Sequence, residues 1–141
     1  RNLRTIHALV VLAMQRLARM PDQEQVCRAL FQAVTLLAGS GVPLRLFAQA
    51  SPSGCLGGLV DEAACAQACK TLADLGLVSQ SGQQLTCHAL VQEAGRDVLK
   101  VGLHDVVGQL IALLDTGFVQ RSWFRGSDDY ISDCACVCVQ R

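Results

Sequence analysis

Large rings are what this sequence has least of: aromatics make up 4% of its 141 residues, as one Trp, one Tyr and four Phe. Ala, Leu and Val must supply most of the apolar surface, and a core of small aliphatic side chains suits closely packed helices better than a β-sandwich. An excess of charge is also missing. Twelve Lys and Arg offset 12 Asp and Glu, so long-range attraction to nucleic acid or anionic lipid cannot come from the chain as a whole. The longest clean apolar run, Ala8 to Met14, falls far short of the roughly 20 residues that a spanning helix needs. No secretory leader is visible, and with Arg1 in first place the sequence reads as a fragment or a processed product.

What is there can build a core. The chain is 51% hydrophobic and 17% charged, which excludes global disorder, and its length fits one compact domain with flanking helices. Its eight cysteines raise the question of a disulfide framework. Cys27, Cys65 and Cys69 fall in helical patterns and Cys87 in a strand pattern, where a free thiol behaves as a small hydrophobe. A domain of this size needs no staples, so the expected setting is reducing and cytoplasmic. Arg1, Arg4, Arg16, Arg19 and Arg28 cluster early; a local contact face would explain them, and so would solvated helix exteriors, the commoner case.

Periodicity divides the chain into short helices. Leu3, Ile6, Val10, Ala13, Met14 and Leu17 share one face of a first helix. Pro21-Asp22 ends it and opens a second, with Asp22 as the expected N-cap. Val26, Leu30, Ala33, Val34 and Leu37 line that helix up to Gly39-Ser40-Gly41. Pro43 suits the first turn of a short third helix carrying Leu44, Phe47 and Ala48, and 51–58 reads as a flexible loop. Asp61 caps a fourth helix with Ala64, Ala68, Leu72 and Leu75 on one side, closed by Gly76. Leu77-Val78-Ser79, a turn over 80–83, and 84–87 then read as a hairpin. A helix from about His88 to Lys100 carries Leu90, Val91, Ala94 and Val98, and another starts at Leu103 and closes near Gly117. Helices followed by a hairpin are the order of a winged helix. The expected fold is therefore mainly α with a small β-hairpin, a winged helix flanked by additional helices. Its segments are 1–21 (a helix from a preceding helical subdomain), 22–101 (winged helix), 102–120 (a following helix) and 121–141 (an irregular Cys-rich tail).

Chemistry-bearing patterns are few. Neither G-x-S-x-G, H-E-x-x-H nor G-x-G-x-x-G occurs, and neither Lys70 nor Lys100 follows a Gly, so the phosphate-cradling G-x-x-x-x-G-K-[ST] loop is absent. The expectation is that the chain is not an enzyme by itself. His7, His88 and His104 each lie in or beside a helical pattern, where packed or surface histidines outnumber catalytic ones. Cys65 and Cys69 stand one helical turn apart, and Cys134, Cys136 and Cys138 alternate. Structural zinc needs four converging ligands, and no partner pair has suitable spacing, so no metal site is assigned. DNA reading would fall to the helix before the hairpin. Its Lys70 stands against Asp61, Glu62 and Asp74, and the turn is uncharged, a poor match to phosphates.

From Leu85 the chain runs Leu-Thr-Cys-His-Ala-Leu-Val-Gln-Glu-Ala-Gly-Arg-Asp-Val-Leu. This resembles the end of the winged-helix section in NB-ARC proteins, members of the STAND class of signalling ATPases. There an apolar strand leads into a Met-His-Asp-Leu motif and an amphipathic helix with a Gly-Arg pair. Cys87-His88-Ala89-Leu90 occupies the motif and Gly95-Arg96 the pair; Cys87 stands for the usual Met and Ala89 for the usual Asp. Leu36-Leu37-Ala38, Val42-Pro43-Leu44, Leu46-Phe47 and 72–78 look like the family's earlier segments, so the resemblance covers about Glu24 to Leu99. It implies a regulatory module of a nucleotide-switched signalling or scaffold protein, in which His88 reaches the phosphates of ADP and holds the closed state. ADP or ATP would bind only in the full-length protein, whose phosphate loop would lie upstream. The implied partners are the adjacent nucleotide-binding domain of the same chain and other proteins, with no membrane and no nucleic acid. Two alternatives stay open: a free-standing winged-helix protein-interaction module, in which His88 merely begins a helix under the wing, and a DNA-binding regulator.

Overall fold

In the computed structural model, which describes residues 3–37, 42–100 and 102–114, the face predicted for the first helix is its buried face. Val10, Ala13, Met14 and Leu17 of α1 (Leu3–Leu17) all lie in the core. The second helix, α2 (Pro21–Leu36), differs from expectation at its start. Its N-cap is Met20, without a side-chain bond, and Asp22 sits with Glu24 in the first turn. The reason is Pro21, whose fixed φ and missing N–H suit the first helical position and move the cap one residue upstream. The two carboxylates still favour the positive end of the helix dipole.

Helix α2 is the centre of the molecule. Every residue from Ala29 to Leu37 is buried, as expected of a helix covered on all sides. Helices α3 (Glu62–Asp74), α4 (Ala89–Val98) and α5 (Leu103–Leu114) pack on it, and α1 packs chiefly on α4. The core runs without a break from Val10 to Leu113. Asp61 caps α3, its carboxylate accepting from the Ala63 N–H at 3.1 Å, and Gly76 takes the left-handed conformation (φ 81°) after that helix ends.

Between α2 and α3 the chain forms β1 (Val42–Pro43) and two 3₁₀ turns, Leu44–Gln49 and Gly57–Leu59. Pro43 therefore ends a strand and precedes the turn instead of opening an α-helix; its ψ of 135° is extended. Leu46 and Phe47 of the turn are buried. Strands β2 (Ser79–Ser81) and β3 (Gln84–Thr86) form a hairpin closed by Gly82-Gln83, and β1 adds to it antiparallel, in the order β1-β3-β2. The turn is shorter than expected because Gly82 (φ 61°) supplies the positive φ that a two-residue connection demands. Leu77 and Val78 are buried on the approach to the hairpin, so pairing starts only at Ser79. The architecture is mainly α with a small antiparallel sheet. No helix among the described residues is long and apolar enough to cross a membrane. The expected end of the last helix near Gly117 lies outside the described residues.

Candidate functional site: the start of helix α4

Strand β3 leads into α4 through Cys87 and His88, and the two side chains have opposite fates. Cys87 is buried, and its Sγ–H reaches the Leu77 carbonyl oxygen at 3.6 Å. That contact ties the corner to the segment that enters the hairpin. Burial pushes its thiol up to about 12, against a smaller opposing pull from the Arg96 guanidinium. His88 is exposed and is the N-cap of α4, its Nδ1 accepting the Leu90 N–H at 3.1 Å. As an acceptor Nδ1 carries no proton, so the neutral ring's hydrogen is on Nε2. The residue thus offers an N–H donor to solvent, beside a helix N-terminus whose dipole favours an anion. Ala89, next along, is also exposed.

Three further polar residues hold the helix that carries His88. Gln92 is buried and its Nε2 donates to the carbonyl oxygens of Val34 (2.9 Å) and Leu37 (2.7 Å). Arg96 donates from Nη1 to the Thr35 carbonyl oxygen at 2.6 Å. In the other direction, Gln32 Nε2 donates to the Leu99 carbonyl oxygen at 3.3 Å. Carbonyls at the C-terminal end of each helix are thereby satisfied by side chains of the other. The helices meet at Gly95, where a Cβ would lie 2.7 Å from Thr35 Cγ2 and 2.9 Å from Phe31 Cζ. Gly95 and Arg96, singled out by the resemblance, are therefore the seat of α4 on α2. Neither Gln92 nor Gln32 stands out in the sequence as a functional residue; a Gln within an apolar helical stripe is the signal that marks such a position.

The other histidines stand apart from His88. His7 Nε2 is 2.8 Å from Asp97 Oδ2, joining α1 to α4. His104 lines a shallow cavity with Cys55 and Asp105. That trio contains the residue types of a thiol nucleophile, but partial desolvation and the Asp105 charge push the Cys55 thiol up, although the residue is exposed, opposite to what activation requires. Cys65 and Cys69 are buried free thiols on α3. A hydrogen bond from Cys69 holds Cys65 below the ordinary thiol range and, with burial, pushes Cys69 up. Among the described residues no group of three or more His, Cys, Asp and Glu side chains converges to hold a metal ion. Cys134, Cys136 and Cys138 lie outside them.

Helix α3 turns Glu62, Gln67, Lys70 and Asp74 to solvent, and the exposed hairpin residues from Ser79 to Gln84 are uncharged. Compared with protein-family models, with curated proteins and with solved structures, the chain has no match in any of the three.

Proposed function

We propose that this chain is a winged-helix module that regulates a nucleotide-switched signalling or scaffold protein of the STAND type, stabilising its ADP-bound closed state. The element order supports the fold: α2, β1, two short turns, α3 and the β2–β3 hairpin follow one another as in a winged helix. The observation that carries the function is the state of His88. It is exposed at the start of α4, with Nδ1 engaged by its own helix and Nε2–H left to donate to a phosphate oxygen. The fit to ADP is partial by design. His88 supplies one donor and the α4 N-terminus a favourable dipole, while the remaining ligands of the nucleotide come from the adjacent nucleotide-binding domain. The buried Gln92 bonds and the half-buried Arg96 bond keep α4 seated, which fixes the position of His88 relative to the rest of the module. A ligand or partner that binds the open state better draws His88 away and shifts the balance.

An acid-rich outer face on α3 and an uncharged hairpin tip favour this reading over duplex DNA. To test it, the full-length protein is purified and denatured, and its small molecules are analysed. About one equivalent of ADP released per chain is the expected result. A folded protein free of nucleotide, and unable to take up added ADP, would overturn the proposal.

A further inference from the structure

We propose that the outer face of α1 is a docking groove for an acidic amphipathic helix of a partner protein, lying antiparallel to α1. This inference stands apart from the nucleotide reading. The inner face of α1 is spent on the core, yet Leu9 and Leu12 are each 55% exposed. They border a cavity of about 570 Å³ between α1, the end of α3 and α4. Its apolar surface comes from Ile6, Val10, Ala13, Leu75, Leu77 and Val91, and Arg16 and Arg19 close one end. Leu9, Leu12 and Arg16, at spacings of three and four residues, form one stripe along α1, and Arg19 follows in the turn just beyond its end: apolar first, basic after. Exposed apolar side chains grouped beside a cavity are a common mark of an interaction site.

Charge selects the occupant. Helix α1 contains no Asp or Glu, nor does the groove lining. Among the described residues neither Arg16 nor Arg19 has a carboxylate partner. A second copy of the chain, pairing α1 with α1, would set these arginines against Arg4 or against each other, a like-charge contact that disfavours self-association. An acidic helix resolves both features. Carboxylates are most favourable in a helix's first turn, so a partner running antiparallel brings its acidic start to Arg16 and Arg19. Its following apolar stripe then lies on Leu9 and Leu12, the helix-in-groove mode with anchors at i, i+3, i+4 and i+7.

The probe is a fluorescent helical peptide of about 15 residues with Asp and Glu in its first turn and leucines at those anchor positions. A control peptide carries Lys in place of the acids. Anisotropy with the whole chain should show saturable binding of the acidic peptide, weakened about tenfold or more, or about 1.4 kcal/mol, by Leu9→Glu with Leu12→Glu. Because both leucines are exposed, that variant should keep the wild-type circular dichroism. Arg16→Glu with Arg19→Glu should reverse the preference between the peptides. No binding, or equal binding of the two peptides, would overturn the proposal. So would a dimer in sedimentation that Leu9→Glu dissolves, because the groove would then belong to a second copy.

Discussion

Helices α4 and α2 approach so closely at Gly95 that a methyl group there meets Thr35 Cγ2 at 2.7 Å and Phe31 Cζ at 2.9 Å, both on buried residues. Gly95→Ala gains helix propensity of about 1 kcal/mol but must displace a core ring, and overpacking of this kind costs about 1–3 kcal/mol. The expected outcome is net destabilisation in a denaturant titration. Gly108, inside α5 with nothing within 4 Å of its added Cβ, is the internal contrast: Gly108→Ala should stabilise by up to about 1 kcal/mol. Equal effects at the two positions would contradict the packing described. Cys87 makes a second prediction at this scale. Its thiol is pushed from an ordinary 9.0 up to about 12. The stability linked to keeping it neutral is fully present below about pH 9 and is lost as the pH climbs toward 12. Alkylation of the native protein near neutral pH should modify the exposed Cys55 before Cys87, and peptide mapping that finds Cys87 equally fast would disprove its burial.

Polar side chains also join the elements, alongside the apolar core. Gln92 serves two carbonyls at the end of α2, those of Val34 and the C-cap Leu37, Arg96 a third, and Gln32 returns a bond to the end of α4. Each substitution that leaves buried carbonyls unsatisfied costs about 1–3 kcal/mol. Gln92→Ala and Arg96→Ala serve the same helix end, so their costs should be non-additive in a double-mutant cycle, by about 0.5 kcal/mol or more. Strict additivity would mean that the two bonds do not form one seat. At this scale the helices were legible in the sequence because their periodic faces are long; α1 and Asp61 as the cap of α3 are clear examples. The two-residue strand β1 was not, since Val42 and Pro43 carry no alternation to read and depend on β3 for pairing. The α2 cap was misplaced because Asp22 is a favoured cap residue and the geometry of Pro21 overrides that preference. The hairpin was found and its register missed. Leu77 and Val78 have the composition of a strand but serve as core residues, and only Gly82 marks the turn.

For the whole molecule, the sequence leads to the mainly α fold and to the corner where β3 meets α4. The roles within that corner were only partly readable. His88 stood out by resemblance; that its Nδ1 caps α4 is a three-dimensional fact. Gly95 and Arg96 drew notice as a motif, while their task, seating α4 on α2, depends on contacts 60 residues or more away along the chain that no local pattern encodes. The central proposal is that this corner holds ADP in a closed nucleotide switch through one imidazole donor. The direct measurement is the rate at which labelled ADP leaves the full-length protein, in wild type and in His88→Ala. Loss of a hydrogen bond to a charged phosphate, worth about 1.5–3 kcal/mol, predicts release faster by about tenfold or more with the fold intact by circular dichroism. An unchanged release rate would contradict the account and leave His88 as no more than the cap of its helix.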